Sequence, residues 1–190
     1  LTRTVSTAGN VDKFTISFWF KIGKLPIGVG DTRTICVAGS PSTIKFNASN
    51  QFNFYPTTSS SAQLVTNQVF RDPHAWGHLV CVYDSGLPDE DADDRMRIYY
   101  NGDEITSFNT RTNPLRYENA SFNSAVPHSW GDIHHPSPSG NNWDGYLAEC
   151  VMIDNQALTP TSFGEFDDNK VWRPISVSTL DFGTNGFYLN

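Results

Sequence analysis

The sequence predicts an all-β protein folded as a two-sheet antiparallel sandwich. Three observations carry that expectation. "KFTISFWFKI" (Lys13–Ile22) alternates, with Phe14, Ile16, Phe18, Phe20 and Ile22 on one face and Thr15, Ser17, Trp19 and Lys21 on the other, which is the period of a half-buried strand. Short apolar runs are punctuated throughout by Gly, Pro, Asn and Ser, and helical spacing is almost absent. The composition agrees: 17% of the 190 residues are charged, below the usual quarter, while Asn, Ser and Thr supply much of the remaining polarity.

The elements follow in order. After the first strand, "TRTICVAG" is a strand behind the Gly-rich turn "IGVGD". "STIKFN" and "QFNFYP" are short strands about a turn at Ala48-Ser49-Asn50. "WGHLVCVYD" (Trp76–Asp84) is apolar on both faces and is expected at the centre of a sheet. In "RMRIYYNGDEITSF" the strand ends at Asn101-Gly102, the pair that a type I′ hairpin turn favours because both positions need positive φ. Thr110 to Asn142 reads as loop with one strand near Val126–Gly131. "GYLAECVMID" is a strand expected to be buried on both faces. "LTPTSFGEF" reads as a short helix, with Thr159 as cap and Pro160 at its first position. "STLDF" and "GFYLN" close the sequence as strand-like pieces.

Length, charge and cysteine usage narrow the function classes. One domain over residues 1–190 has enough apolar material for a core, 38% by composition. The first residue, Leu1, suggests a domain of a longer chain. The net charge is −7, with few and scattered basic residues. A nucleic-acid partner is therefore not expected, since phosphate binding needs clustered Lys and Arg. Nor is membrane insertion, since no apolar run is long enough. Cys36, Cys81 and Cys150 each lie in an apolar run and are expected as buried free thiols.

The order "FTISFWFK", "WGHLVCVYD", "RIYYNGDEI", "WDGYLAECVMIDNQAL" resembles the concanavalin A-like jelly roll of the laminin-G and pentraxin type. More narrowly, "LTRTVSTAGN", "DGYLAECVMIDNQALTPTSFGEF" and "VWRP…GTNGFYLN" resemble laminin-G-like modules in virion proteins of tailed bacteriophages, in tail fibres, tailspikes and head fibres. That resemblance implies a non-catalytic structural or adhesion domain on the particle surface, extracellular after release. Its partners would be other virion proteins, a host-surface glycan, or further copies through the parent protein. The scaffold alone does not name a ligand.

Four parts of the sequence offer groups that could carry chemistry. Asp89, Asp91 and Asp93 have the alternate spacing of the first EF-hand ligands, but Asp94 stands where the turn glycine belongs and Tyr100 where the bidentate Glu belongs. The expectation is a solvated loop without a cofactor; a weak Ca²⁺ site on Asp89, Asp91, Asp93 and Asp94 is the alternative. Hydrolases that resemble this fold carry two or three acids on one strand as E-x-D-x-E. Glu149 instead has Leu147 and Val151 two residues away, so no enzyme is expected. A polysaccharide-cleaving domain with acids from separate loops is the rival reading. His78 reads as a structural histidine. The loop "WGDIHHPSPSGNNW" offers the nearest set for a sugar: Trp130 to stack, and His134, His135, Asn141 and Asn142 for hydroxyls. Trp143 reads as core packing. The loops at Pro88–Asp94, Asn109–Asn119 and Ile133–Asn142 are expected together at one end of the sandwich, where binding residues sit on a rigid scaffold.

Overall fold

The computed structural model describes residues 1–28, 30–39, 42–57, 61–131 and 141–190. Two large antiparallel sheets face each other. The first has seven strands in the spatial order β1 (Thr2–Thr4), β11 (Pro127–Trp130), β3 (Arg33–Ala38), β4 (Ser42–Phe46), β5 (Gln51–Tyr55), β6 (Gln63–Val69) and β10 (Phe108–Thr112). The second has six: β15 (Phe187–Leu189), β12 (Gly145–Asp154), β2 (Lys13–Ile22), β7 (Gly77–Asp84), β8 (Met96–Tyr100) and β9 (Asp103–Glu104). A two-stranded sheet, β13 (Gly164–Phe166) with β14 (Trp172–Pro174), is hydrogen-bonded as a strand to neither.

The core between the sheets is built from alternate residues, as the pleat requires. Phe14, Ile16, Phe18 and Phe20 of β2 and Leu79, Cys81 and Tyr83 of β7 meet Ile44, Phe46, Phe52, Phe54 and Leu64 of the other sheet. Aromatic rings dominate it: Phe20, Phe46, Phe52 and Phe70 contact one another at centroid distances of 5.3 to 6.4 Å. Ile98 and Val151 are buried as expected, whereas Leu147 is partly exposed. The β8–β9 hairpin turns at Asn101 (φ 49°) and Gly102 (φ 92°), as the Asn-Gly pair predicts. Cys36, Cys81 and Cys150 are buried and free.

Five expectations are corrected. β2 is buried on both faces, not one, because Thr15, Ser17 and Trp19 are covered as well. β12 is buried along its second half but not along Gly145–Glu149. Residues 108–112 form edge strand β10 against β6, where the sequence suggested loop. "LTPTSFGEF" gives one 3₁₀ turn at Pro160–Ser162 followed by β13, and residues 178–182 are not a strand.

What covers β2 is the segment after β12. Val80, Val82, Tyr99, Val151, Ile153, Phe163 and Val177 form a second apolar cluster, with Ala157, Leu158, Leu180 and Phe182 packed on it. Thr15 Oγ1 donates to Gln156 O (2.8 Å) and accepts from Leu158 N (2.9 Å), fixing the start of that cover. Its far end is pinned by Trp172. The indole Nε1 donates to His78 Nδ1 at 3.0 Å, and His78 Nε2 meets Ser17 Oγ at 2.8 Å. His78 is thus the neutral Nε2–H tautomer, stacked on Trp19 at 4.9 Å. Burial pushes its pKa down to about 3.

Candidate functional site

The predicted loops do not share one end. Lys13 pairs with Asp84 in register and by an ion pair of 3.0 Å, and Asp154 pairs with Phe14, so Asp12, Ser85–Arg95 and the segment after β10 lie at one end. Arg95 joins them there, donating to Leu87 O (2.9 Å) and Pro114 O (3.1 Å). Phe20 pairs with Gly77 and Ile22 with Gly145 at the opposite end. The roots of the 131–142 loop are at that second end: Gly131 N donates to Ile35 O, and Thr34 N to Asn141 O (2.9 Å).

The sugar-binding set from that loop does not come together as a stacking platform. Trp130 is 7% exposed and belongs to the core, edge-on to Phe18 (6.0 Å) and Phe187 (6.1 Å). It points inward because His128 and Trp130 alternate with Ser129 on β11. Asn141 Oδ1 accepts from Thr32 N at 3.3 Å, and Asn142 forms a bridge to Thr34. Both asparagines therefore help to seat their own loop. His134 and His135 lie outside the described residues. Trp143 packs on Phe20 (6.3 Å) and Phe46 (5.9 Å), the core role expected of it.

The acidic segment is a 3₁₀ helix, Asp89–Arg95, whose five acids all face solvent. Their carboxylates diverge. Asp89 pairs with the buried Arg95 (2.5 Å), which holds its pKa below the usual range. Asp93 Oδ1 accepts from Asn113 Nδ2 (2.6 Å) and lies 3.5 Å from Arg111 Nε. Among the described residues, no three His, Cys, Asp or Glu side chains are grouped to hold a metal. Glu149 sits in a β-bulge at φ 50°, and its Oε2 accepts from the Tyr188 hydroxyl at 2.5 Å.

A different surface gathers sugar-compatible groups. The inward residues Ile44, Phe54 and Leu64 fix which way their neighbours point. Thr43, Lys45, Asn53, Tyr55, Gln63 and Val65 consequently form the outer face of the seven-stranded sheet. Registered neighbours extend it: Ser129 and Val37 on one side, Thr110 and Thr112 on the other. Neither apolar cluster includes a residue of this face. At its centre the Lys45 ammonium lies 5.6 Å over the Tyr55 ring, and the Tyr55 hydroxyl donates to Asn53 Oδ1 at 3.3 Å. Partial burial lowers the Lys45 pKa and raises that of Tyr55. The sequence signal for this face was the polar half of "STIKFN", "QFNFY" and "QLVTNQV", each alternating with core residues.

Sequence comparison now places the scaffold. Residues 2–162 match the family model described as the concanavalin A-like lectin/glucanases superfamily. The chain belongs to that family. Among curated proteins none matches the sequence. Solved structures share the fold at low identity. A heptameric SAP-like pentraxin from Limulus polyphemus is 16% identical, with TM-score 0.52, covering 83% of this chain and 70% of that one. A proposed carbohydrate binding protein from Bacteroides ovatus is 11% identical, with TM-score 0.57, covering 84% of this chain and 42% of that one. Domain 4 of AbnA, a GH43 extracellular arabinanase from Geobacillus stearothermophilus solved with arabinotriose, is 16% identical, with TM-score 0.51, covering 83% and 66%. The family member described here is thus a lectin-like jelly roll, and its second apolar cluster is built mainly on the segment from β12 onward.

Proposed function

We propose that this domain is a non-catalytic glycan-binding module whose ligand lies on the outer face of the seven-stranded sheet. The observation that carries the reading is the asymmetry of the two outer faces. One is sealed by an apolar cover. The other presents half-exposed Thr43, Lys45, Tyr55, Gln63 and Thr112 without such a cover, with buried Asn53 holding the Tyr55 hydroxyl. Hydroxyl, amide and ammonium groups on a rigid sheet match sugar hydroxyls, and a tyrosine ring at the centre offers a surface for the sugar's C–H groups. The description of the Bacteroides protein as carbohydrate binding and the arabinotriose in the Geobacillus structure support the same class.

We further propose that the domain is displayed on a tailed-phage particle, where the glycan belongs to the host surface and the other partners are virion proteins. The support is the likeness of "DGYLAECVMIDNQALTPTSFGEF" and its flanking motifs to phage virion modules. No metal cofactor is part of this reading.

A glycan array followed by titration calorimetry tests it. At least one glycan is expected to bind, and Tyr55→Ala and Lys45→Ala are each expected to weaken it tenfold or more. Retention of no glycan at millimolar concentration would overturn the binding reading. Release of reducing sugar from a bound polysaccharide would overturn the non-catalytic one.

A further inference from the structure

The cover over the six-stranded sheet stops short of one end, and the residues left open there are unusual. Register places Tyr146 of β12 directly opposite Lys21 of β2. Phe20 pairs with Gly77, so Trp76 stands at the position beside Lys21 on the other flank. All three point outward, because Phe20, Ile22 and Leu147 point to the core. Tyr146 is 65% exposed and Trp76 is 43% exposed. Their rings meet across β2 at a centroid distance of 6.4 Å, tilted by 50°.

Two large aromatic side chains left in water, on either flank of β2, are not explained by packing. The next outward row along β2 is Ala148, Trp19 and His78, where Trp19 is buried against His78 and His78 stacks on Trp172. Lys21 adds the second observation. It makes no hydrogen bond or ion pair with any described residue, whereas Lys13 on the same strand is paired with Asp84. The acids nearest in sequence are otherwise engaged or turned away. Asp72 Oδ1 accepts from His74 N (2.8 Å) and Ala75 N (3.3 Å), and the Asp144 carboxylate lies against Gly23. A lysine with no ion pair among the described residues, on the strand that two exposed rings flank, is a charge-complementary setting for an anion that also has an apolar face.

We propose that Tyr146, Lys21 and Trp76 form a second sugar subsite that takes an acidic pyranose, its C–H face against Trp76 and its carboxylate on Lys21 Nζ. This rests on the glycan-binding reading but uses the opposite sheet. Tyr146 and Lys21 lie on paired strands and Trp76 immediately precedes β7, so all three are seated by the sheet. A uronic or sialic acid and its methyl ester differ only in whether each carboxyl group carries charge, and that charge is what Lys21 discriminates.

The test uses two matched pairs: trigalacturonate with its fully methylated ester, and 3′-sialyllactose with its methyl ester. Binding is followed by tryptophan fluorescence and by calorimetry. In at least one pair the acidic member is expected to bind tenfold or more tightly than the neutral one. Lys21→Gln should erase that preference while leaving the weaker neutral affinity. Trp76→Ala should remove binding of both members, and Tyr55→Ala should leave the acidic preference intact. Equal affinity within both pairs, or a preference that survives Lys21→Gln, would overturn the subsite. If glycans bind but only Tyr55→Ala weakens them, the subsite fails and the seven-stranded face stands. If no glycan binds by either route, both fail. Concentration-dependent self-association in sedimentation, abolished by Trp76→Ala, would instead make the row a contact between copies and overturn the sugar assignment.

Discussion

The two outer faces of the sandwich are made by the same alternation yet have different fates. On the seven-stranded sheet the outward residues Thr43, Lys45, Tyr55 and Gln63 are half-exposed, although Asn53, Val65 and Ser129 on the same face are buried. On the six-stranded sheet the outward residues Thr15, Ser17 and Trp19 are buried at 0%, 1% and 7%. Sequence polarity does not separate them, since Thr15 and Ser17 are as polar as Thr43. What separates them is the segment from Gln156 to Phe182, which supplies a second apolar cluster to one sheet and nothing to the other. Burying polar side chains requires partners. Thr15 has two from that segment, and Ser17 has His78. A covered face therefore serves stability, and an open face is available for a ligand.

The sharpest way to break this contrast is to remove the residue that pins the cover. Trp172 is 8% exposed, packs on Phe166 at 4.9 Å and donates to His78. Trp172→Ala is expected to destabilise the domain by about 3–5 kcal/mol, the cost of deleting a large buried aromatic. Tyr55→Ala on the open face should cost about 1 kcal/mol or less. Urea unfolding of the two variants measures the difference. Equal losses would show that the faces are not energetically distinct.

Protonation gives a second, somewhat smaller handle on the covered face. The pKa of His78 is depressed to about 3 in the folded state against 6.5 for a free histidine. Between those values the unfolded chain binds more protons than the folded one. The neutral ring's contribution is thus fully present above pH 6.5 and is lost as pH falls towards 3. The slope approaches on the order of 1.4 kcal/mol per pH unit. Urea midpoints from pH 7 to pH 4 should fall accordingly. His78 exchange in NMR, with the ring still neutral at pH 5, would assign the loss to this residue; a ring charged at pH 5 in the folded protein would refute it.

How much of this was legible in the sequence follows from range. The Asn101-Gly102 hairpin, the inward phenylalanines of β2 and the apolar run of β7 are local patterns, and each was readable. The burial of Thr15, Ser17 and Trp19 was not, because their cover begins about 140 residues later. Trp130 was misread for the same reason. Its flanking loop is rich in Asn, His and Ser, but the side of β11 it occupies is set by pairing with β3 and β1. Edge strand β10 was hidden because "FNTRT" has little apolar content and acquires its state from β6. The candidate surfaces share this property: Lys45 with Tyr55, and Lys21 with Trp76 and Tyr146, meet only through register.

The core makes a third prediction, smaller in energy but simple to count. Burial pushes the Cys150 thiol up to about 12 and those of Cys36 and Cys81 higher than their usual range. A thiol reagent needs the thiolate. The native domain should therefore react slowly or not at all at pH 8, and the urea-unfolded, unreduced domain should react at three sites. A single reactive site would reveal a disulfide and contradict the free thiols.

The least effect is expected at the acidic 3₁₀ helix, and the reason is geometric. Asp91 and Asp93 face solvent at the end of the sandwich away from the Trp76 row, and neither supports the core. Asp93 is held by Asn113 and lies near Arg111, so its carboxylate is turned towards β10 and away from Asp89, which Arg95 holds. A Ca²⁺ ion needs six or more oxygens converging at 2.3–2.6 Å, and carboxylates paired to separate arginines do not converge. Asp91→Asn with Asp93→Asn should shift the melting temperature by about 1 °C or less, equally in EDTA and in millimolar Ca²⁺. Should Ca²⁺ raise the melting temperature of the unmodified domain by several degrees, with the rise lost in the double variant, linkage would demand a bound ion. The helix would then have to rearrange around it, with Asp89 leaving Arg95, and glycan binding would have to be measured again with the ion present.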